Sequence, residues 1–435
     1  MRQRQARPRL IQAMSDAFSL PDLRRRILVT LGILVVFRFI AHVPLPGVDL
    51  EALKTLFENN ALLGMLNLFS GGAMRQFSVA SMGVYPYITA SIIMVLLVPV
   101  IPRLQALSQE GESGRNRINL ITHWLTVPLA GLSGYGQLVI LQRAGVVGGS
   151  GLLPTATIVI SLIAGTVFLV WLGELITEYG IGNGISIIIF GGIVAGYPQL
   201  IQEAFLAKSN PLGLAFYALI MLATIVLIVI FTEAHRRIPV QYARSVFRGG
   251  RMYRQSGSTH IPMRVNSAGM IPLIFSMSVV LFPGVVASYF ARGDTGFAAG
   301  IVRWFSPNTA LPVGAFYWIL YFVLSVAFTF FYTMVTYQQQ DLPGTLQKQG
   351  GFIPGIRPGK NTATYLSSVI NRITWAGALF LAFVAVMPFL ARAVTDVSQI
   401  QLSSLGMLIV VGVVLDTMKQ LEAQLVMRRY EGFIK

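Results

Sequence analysis

Apolar residues in this chain run in long blocks broken by short polar or Gly/Pro-rich stretches, and they do not recur at amphipathic helical spacing. Blocks of about 20 such residues are long enough to cross a bilayer as helices. They predict spans at 24–43, 77–98, 119–142, 155–173, 185–205, 213–232, 266–289, 313–336, 372–391 and 402–421. The fold class expected is therefore an all-α polytopic membrane protein with ten transmembrane helices. Ten spans put both termini on one side of the membrane. Five spans before about residue 207 and five after it would give two halves of opposite orientation, the arithmetic of an inverted repeat with a pathway between them. The organisation predicted is an N-terminal arm (1–23), a first half (24–207), a second half (208–421) and a C-terminal tail (422–435).

One apolar block is too short. Residues 59–83 read NNALLGMLNLFSGGAMRQFSVASMG. The helical-looking run from Ala61 to Phe69 is about half a span, and Ser70-Gly71-Gly72 ends it before Arg75 and Gln76. A half-helix of this kind fits a re-entrant or surface segment.

Composition supports a membrane protein. Hydrophobic residues make up 54% of the chain and charged ones only 11%, against about 25% in a soluble domain. The N-terminal stretch is too long and too charged for a signal-peptide n-region and has no small-residue cleavage site, so it reads as an arm leading into a retained span. With no cysteine there are no disulfides, thiolates or cysteine metal sites. Placing the N-terminus in the cytosol puts 25 of the 33 Lys and Arg residues on that side, including Arg24, Arg25, Arg26 and a cluster from Arg236 to Arg264. That asymmetry obeys the positive-inside rule and makes both termini cytosolic.

The span interiors are nearly free of ionisable groups, whereas solute transporters and pumps keep such groups at membrane depth. Arg38 is the exception, with His42 one turn on. It fits either a snorkelling or carbonyl-capping arginine or a structural or gating one. Catalytic signatures (HExxH, GxSxG, Walker A) are absent, and His42, His123, His235 and His260 lack ligand spacing. GIGNG (Gly180–Gly184) resembles a phosphate-binding glycine loop superficially, but it follows a membrane helix rather than a strand. No catalytic residue, metal or cofactor is expected.

Two predicted cytosolic loops stand out. In 233–265 basic residues interleave with Tyr242, Phe247 and Tyr253, and Gly249-Gly250 suits a hairpin tip. Such a surface suits RNA phosphate or an anionic lipid surface, although positive-inside loops are basic in any case. In 337–371 the stretch GGFIPGIRPG fixes a rigid bend that presents Arg357. Shaped loops of this size imply a large docking partner.

The chain resembles the SecY family, the central subunits of the Sec protein-conducting channel, from about residue 15 to 432. The resemblance rests on VFRFIAHVPLPGVD, NLFSGG, PYITASII, EGESGR, GELITEYGIGNGISIIIF, STHIPMRVNSAGMIPLIF, GGFIPGIRPG and MRRYEGF, in that order. It implies that the broken segment at about 59–76 is a plug, displaced when a polypeptide crosses. Leu62, Leu63, Met65, Leu66, Asn67, Leu68 and Phe69 would form its helix, with Ser70, Gly71 and Gly72 as its hinge. The family's constriction ring falls on Val84, Ile88, Ile189, Ile274 and Ile409. An aliphatic collar offers nothing to replace an ion's hydration shell, so it blocks ions by dewetting.

The resemblance further implies a lateral gate between the second and seventh spans, with Thr89, Ser91 and Asn266 along the seam. Through it apolar segments would partition into lipid. Arg244, Arg248, Arg251 and Arg254 would dock ribosomal RNA phosphate or the motor ATPase SecA, as would Arg357. Expected partners are SecE and SecG in a heterotrimer, SecA, the translating ribosome, signal sequences and unfolded polypeptides, SecD, SecF and YidC, and membrane lipids. The expected location is the bacterial plasma (inner) membrane. The implied function is a passive, gated channel for secretory and nascent membrane proteins, driven by SecA or the ribosome. A solute transporter needs a midplane polar site, and a membrane enzyme needs a clustered acid, base or metal site. Neither is found in the sequence.

Overall fold

The computed structural model describes residues 20–49, 51–53, 70–148, 151–206, 211–248, 251–290, 296–306, 313–395 and 404–431. A helix lies in each of the ten stretches read as spans. In order these are α1 (Pro21–Ile40), α2 (Tyr85–Leu97), α4 (Glu112–Arg143), α5 (Leu152–Tyr179), α6 (Gly184–Leu206), α7 (Pro211–Glu233), α8 (Ile271–Phe290), α10 (Val313–Gln340), α12 (Lys360–Thr395) and α13 (Ser404–Glu431). Shorter helices intervene: α3 (Pro102–Gln109), α9 (Phe297–Trp304) and α11 (Leu342–Lys348). By length and composition α4, α5, α7, α10 and α12 each contain a stretch able to cross a membrane. Ser and Thr hydroxyls inside these helices turn back on their own backbone, as Ser325 does on the Tyr321 carbonyl (2.7 Å) and Thr224 on the Ile220 carbonyl (2.8 Å). Polar side chains are thereby tolerated in apolar surroundings.

The chain divides into two compact units. The first comprises the chain up to Met94, Asn116–Ala207 and the chain from Ile409 onward. Within it α1, α5 and α6 pack on one another. A second layer of its core is made by chain that is not helical. Leu45, Phe77, Met82, Val146 and Val147 are buried against Leu138, Leu141, Ile158 and Leu162 of α4 and α5. The segment 77–84 was expected to begin the second span, but it is extended and turned. Val79 N–H donates to the Val43 carbonyl (3.1 Å), Leu45 N–H donates to the Phe77 carbonyl (3.0 Å), and Pro44 bridges Ser78. Phe77 has φ +41° and Gly83 φ +55°, both outside the helical region, so the helix begins only at Tyr85. Gly165 of α5 lies against the Val79 carbonyl, where any side chain would collide.

The second unit comprises Val95–Arg115 and Lys208–Leu408. Here α10 packs on α12 and on α8, and α7 packs on α12, with the Phe231 and Phe380 rings stacked at 4.0 Å. The expected loop 233–265 is a β-hairpin. Strands β1 (His235–Arg248) and β2 (Arg251–Arg264) pair antiparallel from His235↔Arg264 to Arg248↔Arg251. Gly249 and Gly250 lie between them, outside the described residues. The expected loop 337–371 is largely helical as well: α10 runs to Gln340, α11 follows, and α12 begins at Lys360. Between α11 and α12 a two-residue strand, β3 (Gly351–Phe352), joins the edge of β1 at Gln241 and Tyr242.

Candidate functional site

Ser70 to Gln76 form a tight, buried turn. Gly71 and Gly72 both take left-handed backbone angles (φ +65° and +85°), which glycine adopts without steric cost, and a short 3-10 helix, Ala73–Gln76, follows. Ser70 is buried and its Oγ accepts from Met74 N–H (3.1 Å), capping that turn. The Nη1 of Arg38, on α1, donates to the Gly71 carbonyl at 2.9 Å. On the other side Gly71 rests on Gly192 of α6, so close that a methyl on Gly192 would meet the Gly71 Cα at 2.7 Å. Arg38 thus caps a carbonyl, and that carbonyl belongs to the glycine turn. Gly192 went unnoticed because GG inside an apolar helix signals only small size. Leu62, Leu63, Met65, Leu66, Asn67, Leu68 and Phe69 lie outside the described residues.

The aliphatic positions fall in the N-terminal turns of four helices. In the first unit Val84 precedes α2 and its carbonyl accepts from Ile88 N–H (3.1 Å), so the two stack on one helical face. Val84 is buried and Ile88 half-buried. Ile189 is buried on α6, three residues before Gly192 and hence on the same face as the seat of the glycine turn. Ile409 is buried on α13. In the second unit Ile274 is buried in the first turn of α8.

Thr89 and Ser91 are half-buried on α2, and the Thr89 hydroxyl donates to the Tyr85 carbonyl (3.1 Å). Asn266 lies not on α8 but in the turn between β2 and α8. Its Oδ1 is buried without a hydrogen-bond partner among the described residues.

The basic positions sit on the hairpin and beside it. Arg244 pairs in register with Gln255, Arg254 with Ser245, and Arg248 with Arg251 at the end of the ladder. Arg357 is exposed between β3 and α12, and its carbonyl accepts from the Thr362 hydroxyl (3.0 Å). The two loops, read separately in the sequence, share one core. Ile238, Val240 and Met263 of the hairpin are buried with Leu346, Ile353, Leu366, Val369 and Ile370. That core fixes Arg357 relative to the strands that carry the other four arginines.

The GIGNG loop is packed shut rather than open to a phosphate. Ile181 N–H donates to Thr30 Oγ1 (3.2 Å) and Gly184 N–H to Thr177 Oγ1 (2.9 Å). A methyl on Gly180 would meet Thr30 Oγ1 at 2.5 Å, and Gly184 lies against the Gly173 carbonyl. His123 and Glu174 approach to 3.0 Å between α4 and α5, with Tyr87 beside the imidazole at 5.4 Å between ring centres. Among the described residues no three His, Asp or Glu side chains are grouped to hold a metal.

The family model described as SecY matches residues 78–418. The protein translocase subunit SecY of Streptomyces scabiei is 41% identical over 445 residues, covering 98% of this chain and all of that protein. That of Thermotoga maritima is 41% identical over 435 residues, covering 98% of each. Among solved structures, a protein-conducting channel matches with TM-score 0.65 at 16% identity, over 95% of this chain and 97% of that one. A SecY whose plug domain stabilises the closed state of the translocation channel matches with TM-score 0.64 at 17% identity over the same shares. Sec61 of the canine ribosome–channel complex from the endoplasmic reticulum matches with TM-score 0.64 at 16% identity, again over those shares.

Proposed function

The chain belongs to the SecY family, and from that premise we propose that it is a protein translocation channel rather than an enzyme, a passive pore whose driving force comes from a docked ribosome or SecA. Val84, Ile88, Ile189, Ile274 and Ile409 form its hydrophobic constriction. Residues 59–76 are the plug, hinged at Ser70-Gly71-Gly72. The observation that carries this reading is on α6, where Ile189 and the seat of the glycine turn share one helical face. A hinge anchored there delivers the preceding segment to the level of an aliphatic ring.

Such a ring excludes hydrated ions yet yields to an extended polypeptide, because it has no polar group to strip an ion's shell and its side chains can change rotamer. Secretory proteins cross through it. Apolar segments leave sideways between α2 and the Asn266–α8 region, since each Leu, Ile, Phe or Val gains roughly 0.3–0.6 kcal/mol in lipid. Thr89, Ser91 and Asn266 line that seam. The hairpin and Arg357 face the cytosol with both termini and take up ribosomal RNA phosphate or SecA. SecE and SecG complete the heterotrimer in the bacterial plasma membrane, and SecD, SecF and YidC associate with it.

The test uses the absence of native cysteine. Single cysteines at Ile88 and Ile274, in reconstituted membranes holding a stalled secretory precursor, are expected to crosslink to it only with an intact signal sequence and a bound motor. If the motor binds and neither site crosslinks, the pore assignment fails.

A further inference from the structure

Arg38 is the only charged residue between Arg26 and Asp49, in the apolar part of α1. A guanidinium in that setting is costly unless it meets a partner. Its partner is the backbone carbonyl of Gly71, 2.9 Å away, thirty-three residues along the chain. Three contacts converge on this one residue. Arg38 holds its oxygen, Gly192 backs its α-carbon, and the ring of the neighbouring Phe37 lies 3.2 Å from where a Gly71 side chain would begin. Phe37 is itself fully buried. The turn is also internally fixed by the Ser70 cap and by two successive left-handed glycines, whose geometry aims the Gly71 carbonyl toward α1.

We propose that Arg38 and Gly192 are a two-sided latch on the glycine turn, holding residues 70–72 against α1 and α6 and so setting the resting seal of the channel. The inference rests on the plug reading of residues 59–76. Its physical basis is that moving the turn away breaks the charge-assisted bond and leaves both the Gly71 carbonyl and the guanidinium without their partners, in a region where water does not substitute freely. Gly192 acts differently. It supplies only room, and the turn can approach α6 this closely because neither glycine carries a side chain. Arg38 is thus a positioning residue for the closed state and touches no substrate.

The experiment measures resting ion conductance of the reconstituted heterotrimer in planar bilayers, without motor or precursor. Deletion of residues 62–69 is the reference for an unplugged channel. R38Q is expected to raise the open fraction roughly tenfold or more, the equivalent of one lost hydrogen bond to a charged group. R38K retains charge and donor and should stay close to wild type. G192A keeps Arg38 but pushes the turn off its seat, and should leak as R38Q does. The double variant should leak no more than the stronger single, because both act on one contact. Co-purification of the partner subunits checks assembly, and if R38Q does not assemble, G192A decides. A leaking deletion with R38Q or G192A at wild-type level overturns the latch and leaves the plug reading standing. Additive leaks also overturn it. A deletion that does not leak overturns the plug reading and the latch with it.

Discussion

The ring of Tyr242 rests on the α-carbon of Gly351, its register partner where β1 meets β3. A methyl on Gly351 would meet Tyr242 Cε1 at 2.8 Å and Leu346 Cδ2 at 3.1 Å, so a side chain there must displace one of them. The contact ties the stretch that presents Arg357 to the hairpin that carries Arg244, Arg248, Arg251 and Arg254. G351V should lift β3 off β1 at an overpacking cost of about 1–3 kcal/mol, and G351A should fall between it and wild type. Limited proteolysis between residues 349 and 359 is the direct measure. Cleavage severalfold faster in G351V, with weaker ribosome co-sedimentation, is the outcome expected. An unchanged digest would show that β3 is held by something else.

The hairpin makes a second prediction through its charge. Arg248 and Arg251 close the β1–β2 ladder as a register pair, two like charges at the tip of a long ribbon. Like charges directly opposite on a ladder are unfavourable, and an anionic partner would offset that cost. If that partner is RNA phosphate, affinity must fall with salt, and each arginine contacting a phosphate adds roughly 0.7–0.9 to the slope of log K against log salt. R248A and R251A should each flatten the slope of ribosome binding by about that amount. Weakened binding with an unchanged slope would mean that these residues shape the tip without touching phosphate.

Apolar block length made the helices legible, since nothing but a helix satisfies its own backbone in lipid. It misled at 77–84, where Phe77, Val79, Ala80 and Met82 are as apolar as a span, but Phe77, Ala80 and Met82 are buried by protein and Val79 packs partly buried beside them, and periodicity cannot separate that from a helix. A hairpin tip was legible at Gly249-Gly250, but the long strands were hidden behind their arginines, although Ile238, Val240 and Tyr242 alternate as a half-buried strand should. The aliphatic positions proposed for the ring rest on motif resemblance alone, because an isoleucine facing a pore and one facing lipid are the same letter. Arg38 was conspicuous in sequence, yet its partner is a carbonyl, and backbone atoms leave no trace in composition.

The GIGNG loop tests whether its glycines serve packing rather than a ligand. Thr30 Oγ1 accepts from Ile181 N–H and donates to the Arg26 carbonyl (2.9 Å), so it links α1 to the loop after α5. T30V keeps the shape and removes the acceptor, orphaning a buried N–H at a cost of about 1–3 kcal/mol. The thermal midpoint of the purified complex should drop in T30V and be retained in T30S. Equal midpoints would place the Ile181 amide in contact with another acceptor.

Ile189 makes the most direct test of the constriction. It is buried on α6, one turn from Gly192, and a substitution there tests the proposed ring directly. I189N places a polar amide, smaller than the isoleucine it replaces, in the collar, and a polar group in a narrow aliphatic ring lets water persist where it would otherwise withdraw. Resting conductance should rise in I189N and stay near wild type in I189L, which conserves both volume and polarity. A third variant, I189A, separates a dewetting barrier from a purely steric one. If I189A leaks and I189N does not, the ring seals by filling space, and the hydrophobic argument for this channel is wrong.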